Sequence, residues 1–259
     1  LDTIYCAIGV YDTVTATAKQ PGAGFSLELE GAYLGDLASS RSDMRRNHAV
    51  LALFAMAQAA EREPDVALTI TKRIPVGAGL GGGSADAAAT MLAVNRLWEL
   101  NWPIERLRTI AATLGADMPF CLTGGLAYGT GFGERITDIA PGSRDELALI
   151  EQGFSGEVLV GAYQSQLSTF DIVGAAEGDR NHLQAAAISL HPRSGQAIDA
   201  ATQAGASHAF VSGSGPSVVA FAADEAAAQR IIEVWRDTAV VDRIIRAKSP
   251  EHPNISVRQ

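Results

Sequence analysis

Two periods of apolar residues run along this chain, and the switches between them outline its elements. Between Ala67 and Ile74, the apolar Leu68, Ile70 and Ile74 are set against Thr69 and Thr71, the period-two pattern of a strand. Past Asp86 the period lengthens. Ala88, Met91, Leu92 and Trp98 fall at helical spacing in an alanine-rich run for which Ser84 is the candidate N-cap. A further helix is predicted over 104–114, with Pro103 near its start and Gly115 at its end. An earlier helix is read over 48–60.

The later half has its own sequence of elements. A strand is predicted over 156–163, a helix over 196–204, strands over 208–211 and 217–222, and a final strand over 240–247. Before that last strand, 224–236 reads as an amphipathic helix with Ala228, Ile231, Ile232 and Trp235 on its apolar face. The order strand, helix, strand, strand, helix, strand suggests a ferredoxin-like lobe. A polar break at Pro141-Gly142-Ser143 precedes it. The chain is therefore read as α+β in two lobes, 1–139 and 140–259.

Between the first strand and its helix lies Ile74-Pro75-Val76-Gly77-Ala78-Gly79-Leu80-Gly81-Gly82-Gly83-Ser84-Ala85-Asp86, which holds five glycines. Glycines let a backbone turn tightly and approach an anion, while the unpaired amides and positive dipole end of the new helix face it. Phosphate is the natural guest. A plain tight turn is the bland alternative, and five glycines with a candidate capping serine count against it. Gly77, Gly79 and Gly82 also spell the dinucleotide fingerprint, but that motif needs a second strand ending in an acidic residue about 20 positions on. A second helix arrives instead. The lysine that a Walker A loop carries before its Ser or Thr is missing as well.

Composition narrows the field. With 259 residues, 47% of them apolar, the chain can fill one large or two modest cores. No apolar run approaches the roughly 18 residues of a membrane span, and no signal peptide is visible. A net charge of −9 argues against a nucleic-acid partner, and the local cluster Arg41, Arg45 and Arg46 reads as a solvated helix start. Cys6 and Cys121 lack metal-ligand spacing and suit reduced core residues of a cytoplasmic protein. The five histidines are scattered and form no ligand set.

The loop resembles the second motif of the GHMP kinases, P-x-x-x-G-L-G-x-S-x-A, in which Pro75, Gly79, Leu80, Gly81, Ser84 and Ala85 find places. Leu114-Gly115-Ala116-Asp117-Met118-Pro119-Phe120 resembles the segment carrying the catalytic aspartate in one branch. Val211-Ser212-Gly213-Ser214-Gly215-Pro216-Ser217-Val218 resembles the superfamily's third, glycine-rich motif. That branch phosphorylates the 2-hydroxyl of a cytidine-diphosphate-linked methylerythritol in non-mevalonate isoprenoid synthesis. Homoserine- or mevalonate-type kinases, and an inactive nucleotide-binding protein, are the alternatives.

The resemblance implies roles residue by residue. Pro75, Val76, Gly77, Ala78, Gly79, Leu80, Gly81, Gly82, Gly83, Ser84 and Ala85 would hold ATP, with the Ser84 hydroxyl able to reach nucleotide-bound Mg2+. Asn47 and Lys72 fall where the branch lines its adenine pocket. Asp117 would accept or orient the acceptor's proton, whereas the same residue read alone is a loop aspartate capping a turn. Thr169, Gly213 and Ser214 would contact substrate. The aromatic expected four residues after Thr169 is Val173 here, with Phe170 directly after Thr169. Asn181-His182-Leu183-Gln184 resembles the start of a C-terminal helix, which makes His182 a helix-end residue. The family's P-A-K-x-N-L and G-Y-H-x-L segments are not found, as though about three dozen residues precede Leu1, and Tyr5 reads as a strand residue and not as a substitute for them.

Overall fold

The computed structural model describes residues 3–31, 34, 41–139, 156–162 and 181–256. Thr169, Phe170, Val173 and the break at 141–143 lie outside them. The chain divides into two compact units, one of Leu1–Val76, Gly81–Ile139 and Glu251–Gln259, the other of Gly77–Leu80 and Ala140–Pro250.

In the first unit, β1 (Thr3–Cys6), β5 (Leu126–Thr130) and β6 (Arg135–Asp138) form an antiparallel sheet in the order β1-β5-β6. A second sheet runs β2-β4-β3, with β2 (Thr13–Ala18) antiparallel and β3 (Ser26–Gly31) parallel to β4 (Val66–Lys72). Helix α1 (His48–Ala60) lies in the connection between the parallel pair, as such a crossover requires. The alternation predicted for β4 is realised: Val66, Leu68 and Ile70 are buried while Ala67, Thr69 and Thr71 are half-buried. The strand stops at Lys72 and not at Ile74, because the amides of Arg73 and Ile74 both donate to Asp12 Oδ1.

Helix α2 (Gly82–Leu97) packs on α1 and β2, and its Ala87, Ala88, Met91 and Val94 join Leu53, Met56, Leu68 and Ile70 in one core. Each fully buried large side chain of this set contributes roughly 1.5–3 kcal/mol of burial. Helix α3 (Ile104–Ala112) follows, with Pro103 at its N-cap, where the missing proline N–H costs nothing. The short α4 (Met118–Cys121) packs against both α2 and α3.

The second unit is a four-stranded antiparallel sheet in the order β10-β7-β9-β8, from β7 (Gly156–Ala162), β8 (His208–Val211), β9 (Val218–Ala222) and β10 (Arg243–Ser249). Helices α5 (Gln184–Leu190), α6 (Pro192–Gln203) and α7 (Glu225–Thr238) complete the ferredoxin-like order read from the sequence. Asp224 caps α7 by accepting from the Ala227 amide at 2.7 Å. Trp235 is fully buried, and its indole N–H donates to the Ala197 carbonyl of α6 at 2.9 Å. Among the described residues, no helix is long and apolar enough to cross a membrane.

Candidate active site

The glycine loop joins β4 to α2 as predicted, but its glycines do different work. Gly77, Gly79 and Gly81 have φ of 68°, 76° and 67°, while Ala78 and Leu80 between them keep ordinary negative φ. A Cβ on Gly79 would lie 2.4 Å from the Ser212 carbonyl oxygen, so Gly79 is needed for packing. Gly82 and Gly83 admit Ile74 and His48 in the same way, with a Cβ 3.0 Å from Ile74 Cγ2 and 2.5 Å from His48 Nδ1. At Gly81 a Cβ would meet nothing within 4 Å, so this position borders space that a phosphate can take.

Gly81, not Ser84, is the N-cap of α2, and no side chain caps the helix. Ser84 therefore lies in the first turn. Glycines at 82 and 83 allow the earlier start because a side chain at either would strike Ile74 or His48. The amides of Gly82, Gly83 and Ser84 have no acceptor within the helix, and they sit at its positive end.

Lys72, expected to line the adenine pocket, has its ammonium engaged elsewhere. The strand alternation that buries Val66, Leu68 and Ile70 turns Lys72 inward too, to 3% exposure, where its ammonium donates to Asp12 Oδ2 and, at 2.7 Å, to Asp86 Oδ2. One cation faces two buried carboxylates. Asp86 Oδ1 is buried and finds no partner among the described residues. Burial raises the Asp86 pKa to about 7, and the nearby Asp12 charge adds to that, while Lys72 pulls the other way. The group ties the end of β4 to the first turns of α2, beneath Gly82. Asn47 is the N-cap of α1, its Oδ1 accepting from the Ala49 amide at 2.9 Å, so at least its oxygen is occupied locally.

Asp117 stands at the N-cap of α4, exposed, and makes no capping bond with its side chain. Instead its Oδ1 accepts from the Tyr5 hydroxyl at 3.0 Å. Burial, and then the Asp117 charge, push the Tyr5 pKa well above its ordinary value, so the phenol remains a donor across the neutral range. Tyr5 is the strand residue that its pattern predicts, and it also meets Asp117 across 112 positions of chain. No local signal marks such a contact.

Family models match both halves of the chain: the GHMP kinases N terminal domain over residues 47–125 and GHMP kinases C terminal over 163–241. The chain belongs to the GHMP kinases. A 4-diphosphocytidyl-2-C-methyl-D-erythritol kinase from Bifidobacterium longum is 98% identical over 265 residues, covering 100% of this chain and 84% of the relative. A protein of the same name from Bifidobacterium adolescentis is 66% identical, covering 99% and 85% respectively. The crystal structure of a 4-(cytidine 5'-diphospho)-2C-methyl-D-erythritol kinase superposes with a TM-score of 0.71 at 25% identity, over 96% of this chain and 90% of that one.

In this GHMP kinase the third glycine motif forms the turn between β8 and β9. Ser212 Oγ donates to the Gly79 carbonyl at 2.8 Å, which joins that motif to residues 77–80 of the glycine loop. Gly213 has φ of 55°, and a Cβ on it would come within 3.3 Å of the Gly79 carbonyl oxygen; Ser214 follows in the same turn. Asn181 holds this turn from outside: its Nδ2 donates to the carbonyls of Val211 and Gly213, each at 2.8 Å, while Gln184 Oε1 accepts from the Val211 amide at 2.9 Å. The Asn181-His182-Leu183-Gln184 segment was legible only as a helix start, and its hold on the motif comes from the fold. His182 is exposed just before α5.

Proposed function

We propose that the chain is a 4-diphosphocytidyl-2-C-methyl-D-erythritol kinase, transferring the γ-phosphoryl group of ATP to the 2-hydroxyl of its substrate in isoprenoid precursor synthesis. The observation that carries the substrate is the match at 98% identity across the whole chain to a relative of that name. The site geometry supports the chemistry. Phosphoryl transfer asks the protein mainly for positioning and charge stabilisation.

ATP supplies the phosphoryl group when bound, and its magnesium ion neutralises phosphate charge. The amides of Gly82, Gly83 and Ser84 hold the phosphates at the open face of Gly81, and the Ser84 hydroxyl is the group this chain offers the metal. Pro75 to Leu80 and Ala85 shape the loop around it. Asn47 and Lys72 line the adenine pocket in this reading, and Thr169, Gly213 and Ser214 meet the acceptor. Asp117 takes the proton of the 2-hydroxyl while the acceptor oxygen bonds to phosphorus. The bond from phosphorus to the bridging oxygen breaks, ADP leaves, and the proton passes from Asp117 to water. In this reading the two compact units are the two lobes of the enzyme, with the bounds 1–139 and 140–259 corrected by 77–80, which belong to the second unit, and 251–259, which belong to the first, and the cytoplasm is its proposed setting.

Asp117→Asn tests the assignment. Steady-state turnover should fall at least 100-fold, the usual size of a lost general base, while ATP binding measured by calorimetry persists. Turnover near that of the unaltered enzyme would sink the role given to Asp117.

A further inference from the structure

Three neighbours fix the ring of Tyr5. It lies in β1 opposite Ala127 of β5, and Phe120 of α4 stacks on it with centroids 4.9 Å apart and planes inclined by 18°. Gly129, two residues along β5 and so on the same face as Ala127, leaves room for the ring's other side: a Cβ there would lie 2.6 Å from Tyr5 Cε2. Stacked against Phe120 and admitted by Gly129, the ring presents its hydroxyl to Asp117 Oδ1.

Among the described residues, Tyr5 is the side chain that engages the Asp117 carboxylate. Asp117 is exposed, its own helix does not engage its carboxylate, and α4 is only four residues long. A carboxylate in that setting samples several rotamers unless something holds it. The hydrogen bond from Tyr5, at 3.0 Å, does so from a ring that is itself held.

We infer that Tyr5 is a positioning residue for phosphoryl transfer, holding one oxygen of the Asp117 carboxylate so that the other is presented to the acceptor hydroxyl. This rests on the reading of Asp117 as the group that takes the acceptor's proton. Tyr5 acts through Asp117 and exchanges no proton with the substrate. Its contribution belongs to kcat, because small errors in the placement of a reacting group are felt in the transition state more than in ground-state binding.

Tyr5→Phe separates this role from a structural one, since phenylalanine keeps the ring, the stack on Phe120 and the fit over Gly129. We expect kcat to fall about tenfold or more, with KM for ATP and for the cytidyl substrate unchanged and the thermal midpoint within about 2 °C of the parent, as for a loss of under 1 kcal/mol. Added to Asp117→Asn, the same change should cost nothing further. An unchanged kcat in Tyr5→Phe beside an inactive Asp117→Asn would overturn the role of Tyr5 and leave that of Asp117 standing. Full turnover in Asp117→Asn would overturn both. A raised KM for the acceptor with kcat intact would make Tyr5 a binding residue and equally refute positioning. Should the midpoint drop, Gly129→Ala supplies the second test, because it displaces the ring without removing the hydroxyl; a parental kcat in that variant counts against the inference.

Discussion

Asp86 is the residue on which acid–base behaviour turns. It shares one ammonium with Asp12, is the carboxylate left with an unpartnered oxygen, and has its pKa raised from 3.8 to about 7, chiefly by burial. An acid that binds its proton more tightly in the folded state favours folding while protonated. Its contribution is therefore complete below about pH 4 and is lost as pH rises through about 7. Asp86→Asn should remove that dependence: its urea midpoint should gain on that of the parent steadily from pH 4 to pH 8. A difference between the two that stays constant over this range would show that Asp86 is ionised throughout. Lys72 carries the complementary lesson. Its inward direction was legible in the alternation of β4, but the two carboxylates that claim it lie 60 residues before it and 14 after it, and no pattern in the sequence pairs them.

At the scale of elements, the glycine loop and the third motif depend on each other within the second unit. Gly79 fits because residue 212 comes so close, and Ser212 donates to its carbonyl. Asn181 and Gln184 then fix the strand end from which Ser212 starts. Asn181→Ala removes two of these bonds. With a net effect near 1 kcal/mol, the KM for ATP should rise about fivefold while kcat at saturation stays close to the parent. An unchanged KM for ATP would mean that the turn keeps its shape without Asn181. The motif itself was readable as a string of residues, and so was the loop. What could not be read was that one of the loop's glycines is required for packing and another borders open space, since that depends on which atoms lie beyond each Cα.

For the whole molecule, the chain's path matters more than its local pattern. After completing β10 in the second unit, residues from Glu251 onward return to the first. Glu251 donates its amide to Ala7, accepts from Gly125 at 2.6 Å, and takes the Tyr11 hydroxyl on Oε2 at 2.9 Å. His252 Nδ1 lies 2.9 Å from the Thr123 carbonyl oxygen. These contacts tie the chain's last described segment to the neighbourhood of β1 and β5, which carry Tyr5 and Gly129. Truncation after Pro250 should therefore destabilise the first unit by about 2 kcal/mol, a few hydrogen bonds at their usual net value. Hydrogen exchange should report faster opening in β1 and β5. Protection there equal to that of the intact chain would remove the segment's structural role.

The sequence alone determined β4, α1, α2 and α3, the α+β class, the ferredoxin-like order of the second unit and the glycine turn between β4 and α2, because each is a property of neighbouring residues: period, cap, turn and backbone freedom. It also carried the motifs that place the chain among the GHMP kinases. Tertiary structure alone decided that Tyr5 meets Asp117, that Lys72 lies buried between Asp12 and Asp86, that Gly81 and not Ser84 opens α2, and that Asn181 holds the third motif. Those are encounters between side chains far apart in the chain, and distance along a sequence does not encode which side chains its folding will bring together.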